Sequence, residues 1–263
     1  MARTNLMTLV KLIDSTVGEL GVEEQFLLDL QKSIEITEKN NSRKPSQTFK
    51  PSSMNCMRMS YYQIKGAEAD EKPMEAGFIG ICESGTDRHE RIQRAITMMK
   101  ENDIDCEYVN IPEYIKKHKL KDIEVVSQQG METKLFHKTL NMSFLCDGII
   151  KYKDNFYIIE IKTENSRKFF DRSSVDPSHY KQAIAYSLVF DIDDVLFLYE
   201  NRDVCSKKAF LFHVTGDMKQ SLIGYIENTN SYLNDNKVPP KDGVEKKTCS
   251  HCKYKERCEK DGN

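Results

Sequence analysis

No apolar run in this 263-residue chain approaches the roughly 20 residues that a helix needs to cross a bilayer, so no transmembrane segment is expected. The chain also lacks an excess of either charge. Its 39 Lys and Arg stand against 41 Asp and Glu, a formal net charge of −2. That balance excludes binding to nucleic acid by bulk positive charge, and any such groove must be a local patch. Internal repeats and low-complexity tracts are absent as well, which argues against a solenoid or array. The start of the chain carries no signal-peptide pattern, so a reducing compartment is expected. There the eight cysteines are read as thiols or metal ligands in preference to disulfides.

What is present is a pair of strand-like segments rich in chemistry. FLCDGIIKY carries Asp147, and FYIIEIKTE carries Glu160 and Lys162. Side chains alternate along a strand, and residues opposite one another on an antiparallel pair share a face. With Asp154-Asn155 as a two-residue hairpin loop, Lys153 faces Phe156, Ile149 faces Glu160 and Asp147 faces Lys162. The two carboxylates and the ammonium then converge, whereas a one-residue slip would send Asp147 to the opposite face. Carboxylates so placed supply hard oxygen ligands for Mg²⁺ or Mn²⁺, and the ammonium can offset charge or hold an attacking water.

Three further patterns surround this pair. Gly85-Thr-Asp-Arg-His89 precedes apolar positions Ile92, Ile96 and Met99 at helical spacing, with Ser84 or Thr86 as the expected cap. His89 lies on that inward stripe, where an imidazole nitrogen can reach a metal. Asp176-Pro177 signals a helix start, and Gln182 and Tyr186 then share one helical face. Near the C-terminus, Cys249, Cys252 and Cys258 form C-x2-C-x5-C, a thiolate spacing suited to zinc or an iron-sulfur cluster. His251 adjoins Cys252 too closely for both to face one metal, so a fourth ligand would be remote in sequence. Cys82, Cys106, Cys146 and Cys205 show no ligand spacing and are expected as small buried residues.

Together these residues resemble the PD-(D/E)xK nucleases, specifically the RecB-like exonuclease branch. The histidine upstream of the first acid, the Glu-x-Lys strand and the Gln-x-x-x-Tyr helix occur in that family's order. One cysteine before the core and C-x2-C-x5-C after it are similar to the iron-sulfur exonucleases of CRISPR adaptation and to the AddB nuclease domain. The resemblance covers about residues 52–260. It implies divalent metal at His89, Asp147, Glu160 and the carbonyl of Ile161, with Lys162 catalytic. It implies a [4Fe-4S] cluster on Cys56, Cys249, Cys252 and Cys258, and DNA contacts from Gln182 and Tyr186. Arg167, Lys168 and Arg172, which lie between the Glu-x-Lys strand and that helix, are the favoured basic patch over Ser42-Arg-Lys44, Lys116 to Lys119 and Lys246 to Lys255. The implied activity is an exonuclease acting on DNA ends, single-stranded and 5′ to 3′ by analogy with the CRISPR-type relatives. The implied setting is recombination, repair, phage DNA processing or CRISPR adaptation in the cytoplasm of a bacterial, archaeal or phage-infected cell. A nuclease-fold DNA-binding subunit serving a helicase or integrase, and a structural zinc protein, are the alternatives.

Mixed strands with flanking helices predict an α/β or α+β fold with a restriction-endonuclease-like sheet. Helical patterns at Leu6 to Leu20 and Glu23 to Glu38 form an N-terminal extension over residues 1–45, with packing against the core as its expected role. Residues 46–263 form the expected nuclease domain. Helices are predicted from Met59 to Lys65, over 86–101, after Asp176, and from Asp217 to Leu233. Strands are predicted at Glu107 to Val109, Ile123 to Ser127, Thr133 to Thr139, Phe144 to Tyr152, Phe156 to Thr163, Val195 to Tyr199 and Ala209 to Val214.

Overall fold

The structure, a computed structural model, describes residues 21–41, 46–70, 74–241, 246–250 and 252–262. The predicted helix from Leu6 to Leu20, the basic stretch Ser42-Arg-Lys44 and His251 lie outside the described residues. The chain divides into two units, Met1–Arg43 with Pro73–Glu83, and Lys44–Lys72 with Ser84–Asn263.

In the first unit, helix α1 (Val22–Asn41) carries Glu23 and Glu24 in its first turn and Lys39 in its last, in keeping with the helix dipole. It buries none of its residues, and its apolar positions Phe26, Leu27 and Leu30 are exposed. Glu35 accepts a hydrogen bond from the Ala76 amide at 3.1 Å, joining the two segments of this unit.

The second unit is a mixed α/β structure. A five-stranded sheet has the order β1-β5-β6-β7-β8, made of β1 (Cys106–Val109), β5 (Gly148–Tyr152), β6 (Asn155–Glu164), β7 (Asp194–Asn201) and β8 (Lys207–His213). Only β6 and β7 run parallel. A separate antiparallel sheet holds β2 (Ile123–Gln129), β3 (Glu132–His137) and β4 (Met142–Cys146). The remaining helices are α2 (Met57–Ile64), α3 (Ala76–Thr97, which begins in the first unit), α4 (Ile111–Lys117), α5 (Ser166–Asp171), α6 (Tyr180–Phe190), α7 (Gly216–Asn234), α8 (Lys246–Ser250) and α9 (Lys255–Lys260). No described helix is long and apolar enough to cross a membrane.

Alternation along β6 gives the large sheet two apolar faces. Ile158 joins Ile149, Val195 and Phe197 in a cluster with Ala183, Tyr186 and Phe190 of α6. Ile159 and Ile161 instead join Ile150, with Ile92 and Ile96 of α3. Glu160 and Lys162 therefore belong, by period 2, to the α6 face.

Several expectations are corrected. The β5–β6 hairpin turns at Lys153-Asp154, one residue earlier than expected, because Tyr152 pairs with Asn155 and Ile149 with Ile158. Lys153 and Asp154 both take positive φ, 46° and 64°, the conformation a tight type I′ hairpin turn requires. Moving the turn by one residue shifts the pairing by two, so Asp147 continues the register opposite Glu160 and not Lys162. A two-residue shift preserves faces, and the convergence survives the error. The segment expected as one strand, Phe144 to Tyr152, is two strands in different sheets that break at Asp147. The helix expected from Thr86 starts at Ala76, so neither Ser84 nor Thr86 is its cap. Cys106 and Cys146 are buried, but Cys82 and Cys205 are exposed. The short helices α4 and α5 were not anticipated; each is capped by a preceding asparagine, Asn110 or Asn165.

The break at Asp147 depends on Gly148, whose φ is +155° and whose added Cβ would approach the Met131 methyl to 2.8 Å. Gly148→Ala is expected to cost about 1–3 kcal/mol in a denaturant melt and to reduce cleavage by displacing Asp147. Unchanged stability and activity would show that the break does not need glycine.

Candidate active site

Asp147 sits where the chain passes from one sheet to the other, and its main-chain oxygen accepts from Gln93 Nε2 of α3 at 3.1 Å. Its Oδ2 accepts the Ile161 amide at 2.7 Å, which fixes the carboxylate against β6. Its Oδ1 lies 3.4 Å from His89 Nδ1. The same imidazole nitrogen is 4.0 Å from Glu132 Oε1 at the start of β3. One ligand atom from each of His89, Glu132 and Asp147 lies within 4.8 Å of the others, a group that could hold a metal ion.

Glu160 completes the acidic set from the strand opposite. Its Oε1 accepts from Lys162 Nζ at 2.5 Å and from Gln182 Nε2 at 2.7 Å. Its Oε2 is buried with no hydrogen-bond partner. A buried carboxylate oxygen without a donor is costly unless a cation serves it. Hard oxygens from several carboxylates and one imidazole suit Mg²⁺ or Mn²⁺, so the donor set fits such an ion.

The electrostatics agree. Burial, reinforced by the charge of Asp147, pushes the Glu160 carboxyl up to about 7 despite Lys162 beside it. Burial and Asp147 likewise raise Glu132. For His89, burial alone would lower the pKa, but the hydrogen bond and charge of Asp147, with the charge of Glu160, outweigh it and the net shift is upward. Crowded carboxylates that draw a proton to the imidazole describe a site of negative potential that gains from a divalent cation in place of that proton.

Gln182 and Tyr186 are buried on α6 and act on this set from behind. The Tyr186 hydroxyl donates to the Leu145 carbonyl at 2.8 Å and accepts from Gln182 Nε2 at 2.8 Å. That fixes the amide's orientation, so Gln182 Oε1 faces Lys162 Nζ at 3.0 Å. A chain from backbone to Tyr186 to Gln182 thus holds both Glu160 and Lys162. Gln182 contacts both catalytic candidates, Tyr186 contacts Gln182 and Leu145, and both side chains are buried.

The predicted basic patch divides. Arg167 and Lys168 on α5 are exposed. Arg172 is occupied, with both Glu164 oxygens at 2.5 and 2.6 Å, Asp176 at 3.2 Å, and the Tyr199 ring 4.3 Å from its guanidinium carbon. Its pKa is raised, first by its hydrogen bond to Glu164. Asp176 caps the turn at Pro177–His179 through Ser178 as expected, and α6 follows. Among the other basic stretches, Lys117 and His118 line a cavity with Tyr114 and Phe156, not with Lys162.

Cys56, Cys249, Cys252 and Cys258 all line one cavity of about 190 Å³, together with Arg58, Tyr62 and Tyr254. Cys56 is the N-cap residue of α2, and Cys258 lies on α9. Two sulfurs receive donors: Tyr254 N to Cys252 Sγ at 3.4 Å and Arg58 Nη1 to Cys258 Sγ at 3.5 Å. The four do not form a close ligand group of the kind made by His89, Glu132 and Asp147.

Two residues escaped the sequence reading. Glu132 follows Gly130-Met131 in a different sheet, and nothing in its local pattern ties it to Asp147. Gln93 lies four residues after His89, one helical turn further on, and that spacing could have identified it as a supporting contact.

No family model matches the chain, and no curated protein matches it. Among solved structures, the chain is similar to one titled "Crystal structure of SSO0001", at 15% identity and a TM-score of 0.48, covering 92% of this chain and 98% of that one. It is also similar to an alkaline exonuclease (LHK-Exo) from Laribacter hongkongensis, at 13% identity and a TM-score of 0.45, covering 73% of this chain and 90% of that one. The same exonuclease in complex with dAMP gives 13% identity and a TM-score of 0.45. At these identities and scores the similarities assign neither a family nor an activity to this chain.

Proposed function

We propose that this protein is a divalent-metal-dependent deoxyribonuclease that hydrolyses phosphodiester bonds from DNA ends, with single strands as its substrate. The observation that carries the proposal is the convergence of His89, Glu132, Asp147 and Glu160 beside a lysine that two fixed partners aim, Glu160 and Gln182. Residues 46–263 constitute the nuclease domain in this proposal.

His89, Glu132, Asp147 and Glu160 would hold the Mg²⁺ or Mn²⁺, with the Ile161 carbonyl as a further ligand. When bound, such an ion polarises the phosphate and lowers the pKa of a bound water. Lys162 offsets the charge that develops on the phosphate and orients the attacking water; its position is set by Glu160 and Gln182. Gln182 and Tyr186 act on DNA through that lysine, not by touching the strand. Lys168, exposed in the wall of the cavity that Lys162 lines, attracts the backbone, with Arg167 exposed on the same helix. Arg172 serves as a structural clamp on Glu164. A [4Fe-4S] cluster on Cys56, Cys249, Cys252 and Cys258 is part of the proposal, supported by their shared cavity and by N–H donors onto sulfur. Four thiolates around a cluster stand further apart than ligands of a single ion, in keeping with the absence of a close sulfur group.

The test is degradation of end-labelled linear single-stranded DNA beside circular DNA, with Mn²⁺ or Mg²⁺. The expected result is loss of linear DNA alone, with Lys162→Ala reduced by about 10³-fold or more while still folded by circular dichroism. Wild-type rates in Lys162→Ala would rule out the assigned role. Binding without cleavage by the wild type, with metal present, would instead favour a DNA-binding subunit working with a helicase, integrase or other recombination partner.

A further inference from the structure

Beside the metal-ligating group, Lys162 lines a second feature, a cavity of about 400 Å³ whose wall includes Lys168, Ser178, His179 and Arg202. Glu164 and Asp176 also line it, but Arg172 engages both, at 2.5 and 2.6 Å to Glu164 and 3.2 Å to Asp176. By contrast, the side chains of Lys168 and Arg202 make no hydrogen bond or ion pair among the described residues. The wall therefore presents two cationic side chains without a hydrogen-bonded partner, beside two acids whose oxygens Arg172 already holds and next to Asp203, which feels the Arg202 charge.

His179 adds a directed donor. The Tyr199 hydroxyl accepts the Asp176 amide at 3.1 Å and lies 2.9 Å from His179 Nδ1. Having accepted once, it has one proton to give, and Nδ1 is the acceptor within reach. That places the imidazole hydrogen on Nε2. Burial, with the charge of Lys162, holds the His179 pKa down to about 4, so the ring is neutral at ordinary pH. A neutral N–H donor and two cations, next to a lysine already aimed at a reacting phosphate, match a phosphate group and would repel a cationic ligand.

We propose that this cavity is a subsite for a DNA backbone phosphate adjacent to the scissile one, bound by Lys168, Arg202 and the Nε2–H of His179. The proposal rests on the phosphodiesterase reading of the neighbouring site. The subsite sets the register of the strand, so that one linkage at a time meets Lys162. Its contribution is to substrate binding and positioning, and none of its three residues takes part in bond cleavage.

The experiment measures KM, kcat and the salt dependence of binding for single-stranded oligonucleotides. Wild type is compared with a Lys168→Ala/Arg202→Ala double variant, and Lys138→Ala serves as an exposed-cation control on the other sheet. Substrates carry a single uncharged methylphosphonate at the second or third linkage from either end. Losing the two cations that hold this one phosphate is expected to raise KM by about tenfold or more and to flatten the log–log salt slope by about 0.7. The melting temperature should not change, since neither side chain has a described partner. One methylphosphonate position should weaken wild-type binding and leave the double variant insensitive. His179→Gln, which keeps a distal N–H, should retain more affinity than His179→Leu. If the double variant matches wild type in KM and slope while Lys162→Ala is inactive, the subsite is overturned and the nuclease reading stands. If wild type neither cleaves nor binds DNA, both fall.

Discussion

Glu160→Gln is expected to abolish cleavage, by about 10³-fold or more, and at the same time to remove the loss of stability that rising pH causes through this one carboxyl in the metal-free protein. The first effect follows from losing a carboxylate that both serves a cation and aims Lys162 at 2.5 Å. At about 4 kcal/mol of lost transition-state stabilisation, it is large enough to separate a catalytic ligand from a peripheral one. The second follows from the environment of the same group. Its folded pKa, about 7, lies above the ordinary carboxyl value of 4.5, with burial the main cause and Asp147 the next. The folded chain therefore holds this proton more tightly than the unfolded chain does. The stability this provides is fully present below about 4.5 and is lost as pH rises through about 7. Over that window the Glu160 contribution should fall by on the order of 3 kcal/mol, while His179, depressed from 6.5 to about 4, gains stability as pH rises and offsets part of that fall. Glu132 and His89, both raised, contribute in the same direction as Glu160. Denaturant melts at several pH values give the slopes, and wild type should fall relative to Glu160→Gln between about pH 4.5 and 7. Adding Mn²⁺ should recover the loss in wild type and do little for the variant, because the ion binds the folded form and favours the charged carboxylate. Parallel wild-type and Glu160→Gln profiles from about pH 4.5 to 8 without metal would contradict the electrostatic account of the site.

How far the site was legible before the structure can be judged from Asp147, Glu160 and Lys162. Their shared face followed from period 2 alone, and it withstood a misplaced turn because the error moved the pairing by two residues. An error of one would have destroyed the reading, so the pattern was less secure than the outcome makes it look. His89 was legible because helix periodicity placed it on the stripe of Ile92 and Ile96, which proved buried against β5 and β6. Glu132 was not legible, since its nearness to His89 arises from the way the three-stranded sheet meets the larger one, and no local signal encodes that meeting. The start of α3 was missed for a related reason. Ser84 and Thr86 read as caps, yet the helix starts at Ala76 and runs through both. Gln182 and Tyr186 were placed on one helical face, but only tertiary structure shows that this face is buried against Glu160 and so supports the lysine from within.

The second large effect concerns the cysteine cavity. Cys258→Ala is expected to abolish a broad visible absorption near 400 nm in anaerobically purified protein and to lower the melting temperature by roughly 8–16 °C. The size follows from topology. Cys56 opens α2 and the other three cysteines lie beyond residue 245, so a cluster held by all four closes a loop around nearly the whole second unit. Closing a loop of that length is worth about 4 kcal/mol or more in the chain-entropy description, which for a unit of this size corresponds to the shift given. Contacts that do not need the cluster hold the same two ends together and set a floor under the loss. Arg58 donates to the Pro239 carbonyl at 2.8 Å and to the Gly262 carbonyl at 2.6 Å, and Tyr62 donates to Asp261 at 2.6 Å. Tyr62 also meets Tyr254 with ring centroids 5.6 Å apart. The variant should therefore remain folded at room temperature with its far-ultraviolet dichroism intact. Iron and sulfide analysis distinguishes the metals: about four of each per chain supports the cluster, whereas stoichiometric zinc without colour would identify a structural zinc site. A protein that binds neither, and melts at the same temperature when Cys258 is replaced, would show that Arg58 and the tyrosine pair suffice to close the domain on their own.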